Sequence, residues 1–493
     1  MGVEPGRALE VVHVERGLEH TIELGHGQLR SNGSGVRSRP QEQTTPLGST
    51  RATPRASPQF PPVLRRCCGR VGFGGSCLKR DDRARGRPWT SSSSAARAGI
   101  ACRVYEAAPE IKPIGVGINL LPHAMLELAG LGLEATLAAR GVVASESVFF
   151  NRFGQLIYRE ALGRAAGYAW PQISIHRGDL QAVLIEAFRE RLGSDRLMLG
   201  WLCTGTAQDE RAAVAHFEQA GTGQSLPPQR GDVVIGCDGI HSTIRKQLFP
   251  GEGEPIYSGV NMWRGVTPWP PILSGSSMIR AGWFTPAKIV IYPIRNRIDA
   301  QGRQLINWVV EIETPNHSHW NWSRPGRLSD FLGPMADWHF DWLDVPQFLR
   351  STEVILEYPM VDKDPLPRWS FGRISLLGDA AHPMYPRGSN GAGQAILDAR
   401  VLAEALAASP ADPVAALAAY ERRRLDATAR VVRTNRTAPP DAILGEVFRR
   451  TGDRPFDSID EVISREELAA ISEGYKRIAG YDQDALGSSA MPR

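Results

Sequence analysis

The chain has 493 residues, of which 42% are hydrophobic and 22% charged, a composition typical of a globular protein of two or three domains. Its formal charge of +4 comes from the N-terminus, because residues 1–90 hold 15 Lys and Arg against 8 Asp and Glu, while the remainder holds 42 against 45. The near-neutral remainder excludes the strongly basic class of nucleic-acid and membrane-surface binders, so we expect neither partner.

Cysteine usage and hydropathy narrow the class further. Six cysteines in a chain of this length are too few for a disulfide framework. Cys67, Cys68 and Cys77 lack paired C-x-x-C spacing, so we expect no metal site. The sequence contains no run of about 18 apolar residues, so we predict no membrane span. Its N-terminus also lacks the apolar stretch of a secretion signal. We expect a cytoplasmic enzyme, either a monomer or a homodimer.

Residues 1–96 lack the pattern of a folded domain. They are rich in Gly, Ser, Pro and Arg and show no sustained period of 2 or 3.6 residues. Stretches such as 49–62 and 79–94 contain too little apolar area to offset the entropy of ordering the chain. We interpret the segment as disordered. The alternative, an organelle transit peptide, is opposed by five glutamates before residue 24.

A second interpretation of this segment is an aberrant reading frame. With TCG serine codons and a shifted frame, Pro88–Ala96 would encode Val-Asp-Val-Val-Val-Val-Gly-Gly, a plausible strand that enters a glycine turn. On this hypothesis the chain lacks the first strand and the phosphate-binding loop of a nucleotide-binding domain. Sequencing the locus tests the hypothesis, and an uninterrupted frame that matches this chain would contradict it.

Regular structure is predicted to begin at Arg97. Residues 100–105, apolar except for Arg103, are typical of a strand, and the strand ends in the acidic Glu106. In a Rossmann βαβ unit, an acid at the end of the second strand follows a G-x-G-x-x-G loop by about 20 residues. Residues 83–88 read Arg-Ala-Arg-Gly-Arg-Pro instead. A strand that ends in an acid is therefore present, and the glycine loop expected before it is absent.

A glycine-rich turn and two helices are predicted next. Gly115, Val116 and Gly117 precede a helix over Met125–Leu133, and close packing is the alternative to a ligand-binding turn here. The second helix opens within 174–184 and ends near Leu192. Arg177 in its first turn is unfavourable with the helix dipole unless an anion lies nearby, and a solvated surface arginine is the alternative.

Residues 196–234 alternate apolar and polar side chains between glycine-rich turns, which predicts a β-meander. The run 231–245 then reads as a strand, an Asp238-Gly239 turn and the start of a helix. A turn of this kind at a strand end is typical of a ligand-binding edge in an open α/β sheet.

Residues 256–358 are predicted to form several strands rich in Trp and Tyr. Trp263, Tyr292 and Trp308 could stack on an aromatic ligand, and packing in the core is the alternative for each of them.

The stretch 374–399 carries the strongest signal. A short apolar strand ends at Gly378-Asp379, a turn rich in Pro and Gly follows from Pro383 to Gly393, and helical spacing begins at Gln394. In an open α/β sheet, unpaired N–H groups at such a helix start and a carboxylate at the strand end bind anionic or hydroxylated ligands. The alternative is an ordinary strand–helix connection with a capping aspartate.

The motifs in this order resemble a known family. The sequence Gly-Asp-Ala-Ala-His-Pro at 378–383 is similar to the second FAD fingerprint of the class A flavoprotein monooxygenases, the aromatic hydroxylases of the p-hydroxybenzoate hydroxylase type. Asp238, Gly239, Ser242 and Arg245 match the D-G fingerprint of that family. Segments at 115–119, 174–178, 262–266, 307–308, 358–362 and 384–392 resemble its phenazine-modifying branch, and the resemblance covers roughly 97–436.

The resemblance implies FAD as the cofactor and NADH or NADPH as co-substrate. It places Glu106 at the adenosine ribose, Asp238 near the pyrophosphate and Asp379 at the ribityl chain. The cofactor-binding residues that it implies are Glu106, Gly115, Val116, Gly117, Arg177, Asp238, Gly239, Asp379, Pro386, Gly388, Asn390 and Gly391. The substrate pocket is tentatively assigned to Trp263, Tyr292, Trp308 and Pro383. No side chain is assigned as a catalytic acid or base.

The implied fold class is α/β, with an FAD-binding, Rossmann-like domain of the glutathione-reductase type and an inserted mixed β-sheet domain for the substrate. The expected divisions are a disordered or aberrant segment at 1–96, the FAD-binding domain at 97–258 and 359–437, the substrate domain at 259–358, and a C-terminal helical tail at 438–493.

The implied reaction is hydroxylation of a small aromatic substrate by O2 through a flavin C4a-hydroperoxide. Two alternatives remain open. One is a different flavin oxidation on the same scaffold. The other is a catalytically impaired or non-enzymatic copy, because losing the loop removes several charge-assisted hydrogen bonds of roughly 1.5–3 kcal/mol each to the pyrophosphate.

Overall fold

The computed structural model describes residues 9–15, 100–112, 115–315 and 324–489, and for 9–15 it describes the backbone alone. In chain order the strands are β1 (Leu9–Glu15), β2 (Ile100–Glu106), β3 (Gly117–Leu120), β4 (Val142–Ala144), β5 (Glu146–Phe150), β6 (Leu156–Ala161), β7 (Gln172–His176), β8 (Leu197–Leu199), β9 (Trp201–Gln208), β10 (Ala213–Gln219), β11 (Ser225–Gly231), β12 (Val233–Cys237), β13 (Ile256–Trp269), β14 (Ser277–Trp283), β15 (Ala287–Arg295), β16 (Gln304–Glu313), β17 (Arg324–Pro325), β18 (His339–Phe340), β19 (Leu343–Asp344), β20 (Ile355–Asp362), β21 (Ser370–Phe371) and β22 (Ile374–Leu376).

The α-helices of the described residues are α1 (Pro122–Gly130), α2 (Glu134–Arg140), α3 (Arg177–Leu192), α4 (Thr243–Leu248), α5 (Leu328–Phe331), α6 (Val345–Arg350), α7 (Gly391–Ala408), α8 (Pro413–Thr437), α9 (Ala442–Thr451), α10 (Arg465–Ala479) and α11 (Gln483–Ser489). The helix predicted over Met125–Leu133 begins three residues earlier because Pro122 occupies its first turn, where proline needs no N–H partner. None of the described helices is long and apolar enough to cross a membrane.

A six-stranded sheet organises the first half of the fold, with the strand order β21-β22-β12-β1-β2-β8. All its pairings are parallel except that of the edge strand β21 with β22. The strands β12 and β22 are buried almost throughout, as parallel strands covered on both faces should be. Helices α7 and α8 supply apolar residues to the core on this sheet. The mixed α/β class predicted from the sequence is confirmed.

At the centre of this sheet the prediction from the sequence was wrong. We predicted that 1–96 is disordered or aberrant, but Leu9–Glu15 forms β1 and pairs with β12 on one side and β2 on the other. Val12, for example, pairs with Val234 and with Arg103. A strand therefore fills the position that we expected to be missing. The rest of 1–96, including the segment of the reading-frame hypothesis, lies outside the described residues.

An eight-stranded sheet forms the second half, in the order β17-β20-β13-β16-β15-β14-β5-β6. Its pairings are antiparallel except for β14 with β5. The sequence predicted the strands within 256–358, and the structure adds β5 and β6 from well before that region. The short helices α5 and α6 cover one face of this sheet with an apolar core. The predicted meander at 196–234 is the separate antiparallel sheet β11-β10-β9.

The position of β1 can be tested through its backbone. Val12→Pro removes an N–H from a strand that is paired on both sides, which leaves a buried carbonyl unsatisfied and sterically disrupts the ladder. We expect the free energy of unfolding to fall by at least about 1–3 kcal/mol, measured by urea denaturation. Val12→Ala keeps the N–H and is the matched control. Equal stability of the two variants would contradict the central position of β1.

Candidate functional site

The carboxyl ends of β2, β12 and β22 meet at one edge of the six-stranded sheet, and an acidic residue follows or ends each strand. Glu106 ends β2 and is buried, and one of its oxygens accepts a hydrogen bond from the N–H of Ala108 at 2.6 Å. Asp238 follows β12 and accepts hydrogen bonds from the hydroxyl of Ser242 at 2.5 Å and the N–H of Thr243 at 2.7 Å. The structure thus gathers the three predicted acids, Glu106, Asp238 and Asp379, at the edge of the sheet where an open α/β sheet binds ligands.

Asp379 differs from the other two acids because its side chain is accessible to solvent. Desolvation by the surrounding protein nevertheless raises its pKa, and the neighbouring His382 and Arg177 only partly oppose this rise. A carboxylate that solvent can reach and that protein surrounds lines a cleft and not an outer surface.

Arg177, the first residue of α3, lies beside Asp379 in the same cleft. Burial, and next the nearby charge of Arg264, lower the pKa of Arg177. Arg264 donates a hydrogen bond to the carbonyl oxygen of Gly117 at 3.3 Å. Within the described part of the chain, the guanidinium of Arg177 has no hydrogen bond or ion pair. Two arginines and one carboxylate therefore leave this part of the cleft positive. An anion bound here would offset the unfavourable position of Arg177 in the first turn of a helix.

The wall beside Arg177 is the segment of the predicted glycine turn. Gly115 adopts a positive φ of 136°, and its carbonyl oxygen lies 3.0 Å from Nε2 of His176. The carbonyl oxygen of Val116 accepts a hydrogen bond from the N–H of Arg177 at 3.1 Å. Gly117 has no room for a side chain, since a Cβ there would lie 2.6 Å from the Tyr292 ring. The predicted residues Gly115, Val116, Gly117 and Arg177 are thus brought together.

The turn between β22 and α7 forms the opposite wall. Pro386–Gly388 is a single 3-10 turn, and Ser389 after it adopts a left-handed φ of 52°. At Gly388 an added Cβ would lie 1.6 Å from the hydroxyl of Tyr475, so only glycine fits. Tyr475 donates a hydrogen bond to Asn435 at 2.7 Å, and Asn435 donates to the carbonyl oxygen of Tyr385 at 3.0 Å. Helices α8 and α10 therefore brace this turn from behind, a contact that the sequence analysis missed.

Helix α7 points its N-terminus into the cleft. Its first residue is Gly391, where an added Cβ would lie 3.9 Å from a carboxylate oxygen of Asp379. The first turn holds no acidic residue, and its cap Asn390 makes no side-chain capping bond. Instead Asn390 accepts a hydrogen bond from the ring of His123 at 2.9 Å, and its buried Nδ2 has no partner among the described residues. The first-turn N–H groups thus remain available to an anionic or carbonyl ligand.

A buried carboxylate behind the turn fixes its geometry. Asp398 on α7 accepts hydrogen bonds from the N–H of Gly378 at 3.2 Å and from Arg424 at 2.6 Å, and it lies 2.5 Å from Nε2 of His382. Burial alone would raise the pKa of Asp398, but the neighbouring His382 and Arg424 lower it below its usual value. The carboxylate is therefore ionised and paired in the folded protein.

Two of the tentative pocket residues require correction. Trp308 is fully buried on the sheet face that α5 and α6 cover, and its indole N–H donates to the hydroxyls of Thr267 and Thr352. Trp263 stacks on Phe331 on the same face, with ring centroids 5.4 Å apart. The sequence predicted alternation correctly but gave no signal for which face meets the cleft.

The opposite face of the eight-stranded sheet, which meets the cleft, carries the residues that alternate along the strands with Trp263 and Trp308. A buried apolar cluster, which we call the apolar wall, contains residues of this sheet, Phe284 directly after β14, and Tyr385 of the turn. Its members are Val260, Met262, Phe284, Val309, Met360 and Tyr385. Tyr292 also lies on this face, against Gly117, and burial raises its pKa. Pro383 is buried in the turn, between His382 and Met384.

Comparison with known proteins agrees with this architecture. A model of the FAD binding domain family matches residues 360–435. Phenazine 1,6-dicarboxylic acid hydroxylase PhzS of Lysobacter antibioticus is 40% identical over 378 residues, covering 76% of this chain and 90% of that protein. The 3-amino-4-hydroxybenzoate 2-monooxygenase of Streptomyces cremeus is 33% identical, with coverages of 69% and 80%. The structure of Klebsiella pneumoniae HpxO complexed with FAD and uric acid has a TM-score of 0.61 at 22% identity, with coverages of 81% and 94%.

The chain belongs to the class A FAD-dependent aromatic monooxygenases. Within that class it is similar to a phenazine hydroxylase, which confirms the resemblance found in the sequence. Its cofactor is FAD. The cleft fits such a group, because it offers an accessible carboxylate together with a guanidinium and helix-start N–H groups that have no partner among the described residues.

His123 provides a test of the support behind the turn. Burial lowers the pKa of His123 from its usual 6.5 to about 4. The unfolded chain takes up a proton on this ring below pH 6.5 and the folded protein does not, so stability is lost as the pH falls from 6.5 to 4. Urea denaturation at pH 7 and pH 4 should show the wild type losing up to about 3 kcal/mol more than His123→Gln, which keeps a donor for Asn390. Parallel losses in the two proteins would contradict a buried neutral ring.

Proposed function

We propose that this protein hydroxylates a small aromatic substrate with O2 and with electrons from NADH or NADPH. One observation carries the proposal: an accessible carboxylate, an arginine with no ion pair to any described residue, and a helix N-terminus lie together at the edge of a parallel sheet, beside an apolar wall. Such a set of donors and acceptors suits a ligand that has hydroxyl groups, negative charge and a planar ring.

We assign the cofactor contacts to the predicted residues along the cleft. Asp379 accepts hydrogen bonds from hydroxyl groups of the ribityl chain, and the unpaired N–H groups of Gly391 and its neighbours bind carbonyl oxygens of the ring. Arg177 faces negative charge on the cofactor, with Gly115–Gly117 beside the ring. Glu106 binds the adenosine ribose, while Asp238 and Gly239 shape the edge near the pyrophosphate. Pro386, Gly388 and Asn390 hold the backbone of the turn in place.

Bound FAD supplies the redox chemistry, taking up electrons from the nicotinamide and activating O2 for transfer of one oxygen atom to the ring. The protein's own residues hold the substrate and exclude water. Phe284, Val309 and Met262 of the apolar wall are buried, so a planar ring placed against them is shielded from solvent. No side chain of the described residues has to act as a nucleophile in this scheme.

The names of the relatives support the substrate class. They include hydroxylases or monooxygenases of phenazine 1,6-dicarboxylic acid, 3-amino-4-hydroxybenzoate and 6-hydroxynicotinate. All three are aromatic rings that bear a carboxyl group. We also propose the division of labour expected from the sequence, with 97–258 and 359–437 for the cofactor, 259–358 for the substrate and 438–493 as a helical tail. The contribution of β5 and β6 to the eight-stranded sheet adds 146–161 to the substrate side.

Oxygen incorporation tests this function. The purified holoprotein is supplied with NADH or NADPH, 18O2 and a panel of aromatic acids that includes phenazine-1-carboxylate. We expect consumption of the nicotinamide to accelerate with an accepted substrate and the product to gain one 18O atom by mass spectrometry. A product whose new oxygen is unlabelled, and so comes from water, or no labelled product from any acid, would contradict the proposal. Hydrogen peroxide is quantified in parallel to separate hydroxylation from unproductive oxidation.

A further inference from the structure

Five ionisable side chains outside the cofactor contacts meet at one corner of the apolar wall, and we call them the Lys288 cluster. Its members are Arg280 of β14, Lys288 of β15, Glu311 of β16, Arg387 of the turn and Asp441 before α9. Lys288 forms an ion pair with Glu311 at 2.7 Å and another with Asp441. Burial alone would raise the pKa of Asp441, but Lys288, Arg387 and Arg280 together lower it, so all three cations lie near this carboxylate.

The charges of the Lys288 cluster do not balance. The carboxylates of Glu311 and Asp441 both form their ion pairs with Lys288, which is almost completely buried. Arg280 donates to the hydroxyl of Ser147 at 2.8 Å and to the sulfur of Met278. Neither arginine of the cluster has an ion pair with any described residue. Within these five side chains, three cations stand against two anions, an excess of one positive charge.

Arg387 is the member that a ligand can reach. It is half-buried and follows Pro386 in the turn that lines the cleft. Its guanidinium carbon lies 4.4 Å from the centre of the Phe284 ring, so it borders the apolar wall. Among the described residues it makes one hydrogen bond, a long one of 3.5 Å to the carbonyl oxygen of Arg436. The buried Nε of Arg387 has no partner among the described residues. A planar donor group with unused N–H groups is therefore positioned at the end of an apolar surface.

We propose that Arg387 binds the carboxylate of an aromatic acid substrate whose ring lies against the apolar wall. The guanidinium offers two parallel N–H donors that match the two oxygens of a carboxylate, and an added anion balances the charge of the Lys288 cluster. The proposal rests on the proposed function and adds the chemical class of the substrate and a residue that selects it. Apolar packing holds the ring, while Arg387 distinguishes an acid from its neutral analogue.

The test uses the full-length holoprotein and two probes of the same shape, phenazine-1-carboxylate and phenazine-1-carboxamide. Their dissociation constants are measured by titration of the flavin absorbance spectrum. The wild type should bind the acid more tightly than the amide. Arg387→Gln should weaken binding of the acid by roughly 10-fold to 100-fold, the loss of a charge-assisted bidentate contact, and change binding of the amide by less than about 2-fold.

Two further variants complete the design. Arg387→Lys keeps the positive charge without the bidentate geometry and should bind the acid with intermediate affinity. Arg422→Gln makes the same charge change at an exposed position of α8 and should match the wild type for both probes. Equal loss of acid and amide in Arg387→Gln would mean that Arg387 supports the fold, and unchanged acid binding would mean that another group receives the carboxylate. Either result overturns the proposal.

Failure here is distinguishable from failure of the proposed function. A wild type that incorporates 18O into an aromatic acid but binds acid and amide equally overturns the carboxylate assignment alone. A wild type that binds neither probe overturns a phenazine acid as the substrate held by Arg387, and the proposed function fails with it only if no aromatic acid yields labelled product.

Discussion

One buried carboxylate holds the cofactor turn together. Asp398 projects from α7 and contacts the backbone at the end of β22, the ring of His382 in the turn and the guanidinium of Arg424 on α8. Removing one partner of such a buried pair costs about 3–5 kcal/mol, because it leaves a charge without compensation. A strand end, a turn and two helices share this single acceptor, so the position of Asp379 beside them depends on it. Arg245 adds a second constraint by donating to the carbonyl oxygens of Ala380 and Ala381.

The cleft is built from elements far apart in the chain, and its two sides have different physical characters. The edge of the six-stranded sheet presents charge and unpaired backbone donors, whereas the eight-stranded sheet presents the apolar wall. This asymmetry suits a reaction in which a charged cofactor meets an apolar ring. The C-terminal helices complete the arrangement, because the hydroxyl of Tyr475 occupies the space that any side chain at position 388 would need.

Much of the site could be predicted from the sequence because its motifs are local. A strand, a turn and a helix start lie within about 15 residues at Asp238 and again at Asp379, so spacing alone identifies the edge of the sheet. The paired faces of the second sheet could not be assigned in the same way. Alternation predicts that Trp308 and Val309 point in opposite directions, but only tertiary packing decides which of them meets the cleft.

The remaining differences come from contacts between distant segments. Leu9–Glu15 alternates poorly and carries no glycine signature, yet its backbone completes the six-stranded sheet between β12 and β2. Its identity as the central strand depends on partners about 90 and 220 residues away, which no local period reveals. The brace formed by Tyr475 and Asn435 is invisible in the sequence for the same reason. Local chemistry was therefore predictable, and its supporting scaffold was not.

The central claim is that these described elements form a working FAD site in the chain as it stands. The most direct measurement is the visible absorption spectrum of the full-length protein after desalting, recorded together with Asp379→Ala and with Asp426→Ala, an exposed aspartate on α8, as the matched control. Our account predicts about one flavin per chain in the wild type and in Asp426→Ala, and a clear loss of flavin in Asp379→Ala. A folded wild-type protein that is colourless and takes up no added FAD would contradict it.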